Sequence, residues 1–84
     1  EPHRYNAPAF AMKIGNILRD NFKKHPEAIK AYQDAIDLLE NYDYPQYYGN
    51  DALKTAYTNI CKLYELTGDM KEAKRYQDKL SSLQ

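Results

Sequence analysis

The stretch that most constrains the fold is Tyr57–Leu83, in which Thr-Gly-Asp joins two amphipathic segments. Gly68 can adopt the left-handed conformation that ends a helix. Asp69, followed three residues later by Glu72, is an acidic form of the capping box that begins the next helix. The apolar residues of the two segments recur at helical spacing: Tyr57, Ile60, Tyr64, Met70, Ala73, Tyr76, Leu80 and Leu83. The stretch therefore predicts a helical hairpin.

The same pattern occurs a second time nearer the N-terminus. Ile14-Gly15 corresponds to Ile60-Cys61, a large apolar residue followed by a small one. Leu18 corresponds to Tyr64, and Ala28 corresponds to Ala73. A single hairpin cannot bury its own apolar face, so two copies are expected to stack.

The two copies together resemble tetratricopeptide repeats, whose signature is an aromatic residue, Leu-Gly, Tyr, a turn, and then Ala followed by an aromatic. Tyr57 and Tyr64 match the first aromatic and the Tyr, and Tyr32 matches the second aromatic. Ile14 and Ile60 are 46 residues apart, which is longer than the usual repeat of about 34. The resemblance implies an all-α fold in which two antiparallel hairpins stack as an α–α superhelix.

The helices are predicted at about 7–22, 26–41, 51–67 and 70–82. Asn6 is predicted to cap the first helix with Pro8 in its first turn, Pro26 opens the second, and Asn50 caps the third, with Pro45 as an alternative start. The buried stripe of the first helix is predicted to comprise Phe10, Ile14, Ile17, Leu18 and Phe22. The chain is expected to form one domain over 1–84, with repeat one at 7–41, a Tyr-rich connection at 42–50 and repeat two at 51–83. Since it begins without Met, we expect a piece of a longer protein.

Charge and cysteine content argue against several functions. The 12 basic and 12 acidic residues balance, so no global charge attracts nucleic acid or an anionic membrane. No apolar run approaches the roughly 18 residues of a membrane span. Cys61 is the only cysteine, which excludes an internal disulfide and indicates a reducing, cytoplasmic location; we expect it to be buried and inert. No catalytic residue, metal site or cofactor motif is recognisable, so we expect no enzyme and no cofactor.

The resemblance also implies a binding site, because such repeats hold peptides or proteins along the concave face formed by the first helix of each repeat. The corresponding groove residues are Met12, Lys13, Asn16, Arg19, Thr55, Thr58, Asn59, Lys62 and Leu66. Asn16 and Asn59 match positions that bind a peptide carboxylate in the chaperone-binding branch of the family, although Met12 stands where that branch has Lys. Lys13, Arg19 and Lys62 favour acidic ligands.

Two other surfaces are candidates for contact. Tyr44, Tyr47 and Tyr48 in the connection either cover the ends of the hairpins or form an exposed aromatic anchor for a partner. The last helix carries an apolar stripe near the C-terminus, which predicts self-association: Met70, Tyr76, Leu80 and Leu83.

The sequence is compatible with three classes of function. The first is a non-enzymatic protein-interaction module, either a scaffold or an adaptor. The second is the peptide-sensing part of a bacterial regulator whose effector domain lies elsewhere, because regulators that resemble this family have repeats of more than 40 residues. An enzyme is the third.

Overall fold

The described part of the chain folds into four α-helices. The computed structural model describes the backbone of residues 2–42 and 46–83, and the side chains of residues 7–42 and 50–83. In chain order the helices are α1 (Pro2–Asp20), α2 (His25–Asn41), α3 (Gln46–Thr67) and α4 (Met70–Ser82). α1 packs on α2, α3 packs on α4, and α2 also packs on α3. The all-α fold of two helical hairpins is therefore confirmed.

The helix bounds agree with the prediction at α4 and differ elsewhere. α2 begins one residue earlier than predicted, α1 and α3 each begin five residues earlier, and α1 ends at Asp20 rather than at 22. Asn6 and Asn50 were therefore wrong as caps, because both lie inside helices. Pro8 lies in the interior of α1, where proline costs a backbone hydrogen bond. Its side chain is fully buried. α3 begins at Gln46, in agreement with the alternative start next to Pro45.

The turn between α3 and α4 has the predicted geometry. Gly68 has a φ of +88°. Its N–H donates to the carbonyl of Glu65 at 3.2 Å, and the N–H of Asp69 donates to the carbonyl of Tyr64 at 2.8 Å. These two bonds form the Schellman arrangement that closes a helix on a left-handed residue. The Asp69 carboxylate then accepts a hydrogen bond from the N–H of Glu72 at 3.3 Å, so Asp69 is confirmed as the cap. The Glu72 carboxylate accepts from Arg75 at 3.1 Å instead of completing the predicted box.

The turn between α1 and α2 uses a different solution. Lys23 has a φ of +56°, although it is not a glycine. The N–H of Lys24 donates to the carbonyl of Leu18 at 2.9 Å, which ties the turn back to the end of α1. Lys24 precedes α2 and makes no side-chain hydrogen bond that caps it. Pro26 occupies the second position of the helix. N–H groups in the first turn of a helix have no intrahelical acceptor, so the absence of an N–H at Pro26 breaks no helical hydrogen bond.

Small residues allow the helices of each hairpin to approach closely. A Cβ at Gly15 would lie 2.8 Å from the Tyr32 ring, so α1 meets α2 where it has no side chain. In the second hairpin, the Cys61 thiol donates to the carbonyl of Ala73 at 3.2 Å. Ala28 and Ala73 are both buried. A small residue on the first helix therefore marks the close approach in both hairpins, against Tyr32 in the first and against the alanine Ala73 in the second.

The core is continuous from α1 to α4 and is rich in tyrosine. Tyr64 and Tyr76 stack with their ring centroids 5.9 Å apart, and Tyr57 lies at the same distance from Tyr76 in a tilted arrangement. The tyrosine hydroxyls also connect to α2, since Gln33 donates to the Tyr64 hydroxyl at 2.9 Å and Tyr57 donates to the Glu40 carboxylate. These contacts join α2, α3 and α4 into one unit.

The predicted buried stripe of the first helix was mostly wrong. Four of its five residues are exposed, and only Leu18 is half-buried: Phe10, Ile14, Ile17 and Phe22 are the exposed ones. Over residues 7–20, the part of α1 whose side chains are described, the buried residues are Pro8, Met12 and Gly15. The reason is that Gly15 lets α1 sit directly on Tyr32, which turns the bulkier residues outward. We call Phe10, Ile14 and Ile17 the outer stripe of α1.

The surface predicted for self-association also needs correction. Tyr76 is buried in the core, and Leu80 and Leu83 pack against that core from the last turns of α4. Met70 alone of the four is exposed. The apolar stripe of α4 therefore faces α3, and it does not form a free surface.

Candidate functional site

A groove lies between α1 and α3, the first helices of the two hairpins. It has a volume of about 450 Å³, and both helices line it: Ala9, Met12, Lys13, Asn16, Asp51, Ala52 and Thr55. α2 packs on both helices and holds them apart, so α1 and α3 themselves touch little. The small side chains of Ala9 and Ala52 leave the space between them open.

The floor of the groove joins the hydrophobic core. Met12 is buried and belongs to the same cluster as Tyr32 and Ile60, so the groove has an apolar base held by the core. Such a base is rigid, because its side chains are packed on the side away from the groove. Met12 was predicted as a groove residue, and the structure places it in the lining, at the buried base of the groove.

Asn16 is held in one orientation by a buried tyrosine. Tyr32 is completely buried, and its hydroxyl donates to the Oδ1 of Asn16. Burial raises the pKa of Tyr32, so the hydroxyl stays protonated and remains a donor. Because Oδ1 is occupied, the amide NH₂ of Asn16 is the group left to meet a ligand; within residues 7–42 and 50–83 it has no hydrogen-bond partner. Asn16 therefore presents donors, which recognise a carbonyl or carboxylate oxygen.

The two walls of the groove carry opposite charges. Lys13 on α1 is exposed, and Asp51 is exposed at the corresponding edge of α3. Thr55 donates its hydroxyl to the backbone carbonyl of Asp51 at 3.0 Å, which leaves the hydroxyl oxygen free to accept. The groove therefore offers an apolar base, a directed amide donor, and one group of each charge at its rim.

The other predicted groove residues lie outside this lining. Arg19 donates two hydrogen bonds to the Asp20 carboxylate, at 2.7 and 3.0 Å, and these bonds raise the pKa of the guanidinium. Its charge is thus neutralised locally. Thr58 donates to the carbonyl of Lys54 at 2.7 Å. The remaining three continue the groove face of α3 toward its C-terminus, with Asn59 half-buried: Asn59, Lys62 and Leu66.

Three lining residues were not predicted from the sequence: Ala9, Asp51 and Ala52. Ala9 and Ala52 could have been predicted, because small residues on facing helices leave space for a groove between them. Asp51 was predicted as the first residue of the third helix, but it lies inside α3 and lines the groove. As a result, the rim is less basic than predicted from Lys13, Arg19 and Lys62.

The predicted aromatic anchor falls outside the described part of the structure. Tyr44 belongs to residues 43–45, which the structure does not describe, and the side chains of Tyr47 and Tyr48 are likewise outside the described residues. This prediction stays a prediction.

The strongest electrostatic cluster is remote from the groove. The Glu40 carboxylate accepts hydrogen bonds from the Tyr57 hydroxyl and from Lys79, the latter at 3.0 Å. Burial is the largest influence on Glu40 and acts to raise its pKa, but the two hydrogen bonds together outweigh it, so the pKa is lowered. Burial and the Glu40 contact raise the pKa of Tyr57 strongly. The cluster ties α2, α3 and α4 together, which is a structural role.

The Cys61 thiol and the acidic side chains do not form a reactive or metal-binding site in the described residues. Burial raises the pKa of Cys61, so its thiolate form is disfavoured at neutral pH. Within the described residues, no three His, Cys, Asp or Glu side chains are grouped so that they could hold a metal ion. None of the helices in these ranges combines the length and apolarity needed to cross a bilayer.

Comparison of the chain with protein-family models, with curated proteins and with solved structures finds no match in any of the three. A function for this chain therefore has to be inferred from the geometry of its groove and from its internal repeat.

Proposed function

We propose that the chain is a non-enzymatic interaction module that holds a peptide, or an extended segment of another protein, in the groove between α1 and α3. The observation that carries this proposal is the groove itself, which both first helices line and in which a buried tyrosine fixes Asn16 as a donor. The tetratricopeptide resemblance of the sequence supports the same role for this face.

The chemistry of the groove favours a peptide backbone as the ligand. A peptide presents a carbonyl oxygen at every residue, and the Asn16 NH₂ group can bind one of them. Thr55 can accept from a peptide N–H, and the apolar base around Met12 can receive a side chain. Lys13 and Asp51 at the rim favour a ligand that carries both charges over a purely acidic one, because each of them would repel a like charge.

The proposal is tested by selecting peptides against the groove. A phage-displayed library of random peptides is panned on the wild-type protein, and the affinity of the best peptide is measured by fluorescence anisotropy. Ala52→Phe fills the groove and is expected to remove detectable binding. Lys54→Phe adds the same ring to the outer face of α3, where Lys54 is exposed, and is expected to leave the affinity unchanged.

Asn16→Asp tests the directed donor with an isosteric change. The carboxylate can still accept from Tyr32, but its second oxygen replaces the NH₂ donor and repels a carbonyl. We expect binding about tenfold weaker, with an unchanged circular dichroism spectrum. Selected peptides that bind Ala52→Phe as tightly as wild type would show that the groove is not the site. Stronger binding by Asn16→Asp would show that the ligand presents donors there, against the proposed geometry.

A further inference from the structure

The outer stripe of α1 is an apolar surface with no cover in the described structure. Phe10 is 66% exposed, and Ile14 and Ile17 are each 39% exposed. The three residues follow one another at helical spacing over two turns, so they form a continuous ridge. Phe22 extends the apolar surface beyond the end of α1 and is also exposed. Contiguous apolar patches of this kind mark interaction sites more often than isolated exposed residues do.

The internal repeat shows what covers the equivalent surface elsewhere in the chain. A shift of 46 residues places Phe10, Ile14 and Ile17 on three residues of α3: Ala56, Ile60 and Leu63. Those three residues are at most 1% exposed. α2 packs on α3, and these three residues share one core cluster with Tyr32, Ala35 and Ile36 of α2. The same ridge is thus covered by a helix in the second hairpin and left open in the first.

The neighbouring face supports the equivalence. The same shift places Ala11, Gly15 and Leu18 on α3 residues that meet α4: Tyr57, Cys61 and Tyr64. On α1, the corresponding face meets α2, as the contact between Gly15 and Tyr32 shows. Each of these two faces of α1 therefore has a counterpart on α3. In the described structure, the counterpart of the outer stripe is covered by a helix, and the outer stripe is not.

The opposite end of the stack is different in character. The outer face of α4 is polar, with Lys74 and Asp78 paired at 3.5 Å and Ser81 exposed beside them. A second copy that stacked its α4 on the outer stripe would bury this polar face against Phe10 and Ile14. Polar groups buried without partners are costly, so head-to-tail self-assembly does not fit this surface.

We propose that the outer stripe of α1 is a docking site for one amphipathic helix of a partner protein, which packs on α1 as α2 packs on α3. The required chemistry follows from α2. Its Gln33 and Glu40 meet the hydroxyls of Tyr64 and Tyr57, but the α1 counterparts of those tyrosines are Leu18 and Ala11, which have no hydroxyl. The docking helix must therefore be aliphatic where α2 is polar. This surface is separate from the groove, and the inference does not depend on the proposed function.

The test uses a synthetic helix that is derived from α2. The peptide covers residues 25–41, keeps Ile29 and Ile36, and carries the changes Gln33→Leu and Glu40→Leu. Tyr32→Gln and Leu39→Lys make its other face polar, so that it cannot replace α2 in the protein. A lactam bridge between Lys30 and Asp34, which already pair at an i,i+4 spacing on the solvent side, fixes the helix. The control peptide adds Ile36→Lys.

Binding is measured by fluorescence anisotropy with the intact 84-residue chain and its variants. Phe10→Gln and Ile14→Gln change the outer stripe, and each is expected to weaken binding about tenfold or more. Leu66→Gln is the matched control, because Leu66 is also 66% exposed but lies on the groove face of α3; it is expected to leave the affinity unchanged. Circular dichroism checks that each variant is folded.

The proposal is supported if the designed peptide binds, the control peptide does not, and only the outer-stripe variants weaken binding. It is overturned if wild type does not bind at millimolar peptide, or if Leu66→Gln weakens binding as much as Ile14→Gln does. Sedimentation that shows a dimer abolished by Ile14→Gln would identify a second copy as the occupant and overturn the proposal. The proposal is also overturned if joining further residues of the same chain to the 84-residue protein abolishes binding of the designed peptide.

Discussion

Gly15→Ala gives the sharpest test of how α1 meets α2. A Cβ at position 15 would lie 2.8 Å from Cε1 of Tyr32, and 3.0 Å from two further ring atoms. Ordinary contact begins at 3.4 Å, so the ring would have to move by about 0.6 Å. The ring has little freedom to move, because Tyr32 is completely buried and its hydroxyl is bound to Asn16.

Two opposing effects set the size of the change. Alanine favours a helix over glycine by about 1 kcal/mol, so without the contact Gly15→Ala would stabilise the protein. Overpacking a tight core contact costs about 1 to 3 kcal/mol. The net expectation is a loss of about 1 kcal/mol, which for a domain of this size lowers Tm by about 4 to 8 °C. The sign of the change therefore decides whether the contact exists.

The free energy of unfolding is measured by urea denaturation, followed by circular dichroism at neutral pH. Tyr32→Leu supplies the control background, because it removes the ring that a Cβ at position 15 would meet. In that background, Gly15→Ala is expected to stabilise the protein, so the two changes should be strongly coupled. A Gly15→Ala variant that is at least as stable as wild type, with Tyr32 intact, would refute the close approach of α1 to α2.

Two further predictions concern groups with shifted pKa values. Since the folded-state pKa of Glu40 lies below its ordinary 4.5, its contribution is present above that value and is lost as the pH falls through the folded pKa. Lowering the pH from about 5 to about 3 should therefore reduce the free energy of unfolding of wild type by about 0.5 kcal/mol more than that of Glu40→Gln. The difference is small because the ion pair with Lys79 is about one-third exposed. Equal losses of the free energy of unfolding, measured by urea titration, would contradict this. Cys61 should react with a thiol reagent about tenfold or more slowly in the native state than in urea, because burial raises its pKa and its thiol is bound to Ala73; equal rates would show an accessible thiolate.

The features that the sequence predicted well are those set by local chemistry. Gly68 and Asp69 specify the second turn by themselves, because a left-handed glycine and a carboxylate cap act within a few residues. The close approach at Gly15 and at Cys61 could also be predicted, since a small residue in an apolar stripe marks a point where another helix comes close. The start of α4 follows from the same local signals.

The orientation of α1 could not be read from the sequence in the same way. α1 has two apolar faces, one with Phe10 and Ile14 and the other with Pro8 and Met12, and helical spacing alone fits either of them. The bulkier face is the natural choice for a core. The structure selects the other, because Gly15 must lie against Tyr32, and that contact depends on two helices at once. The groove was predicted only in part for the same reason, since its lining by Asp51 and Ala52 depends on how α1 and α3 are placed around α2.

The orientation of α1 also explains why its two candidate surfaces are neighbours. With Gly15 turned toward α2, Asn16 falls on the groove side and Ile14 falls on the outer side, with Lys13 between the two. A helix docked on Phe10 and Ile14 would pack along the edge of the groove without filling it, and it would limit the movement of α1 relative to α3. A ligand bound in the proposed groove would touch both α1 and α3, so restricting that movement would lower the entropic cost of its binding. The two surfaces are therefore expected to act cooperatively, and a docked helix should tighten peptide binding in the groove.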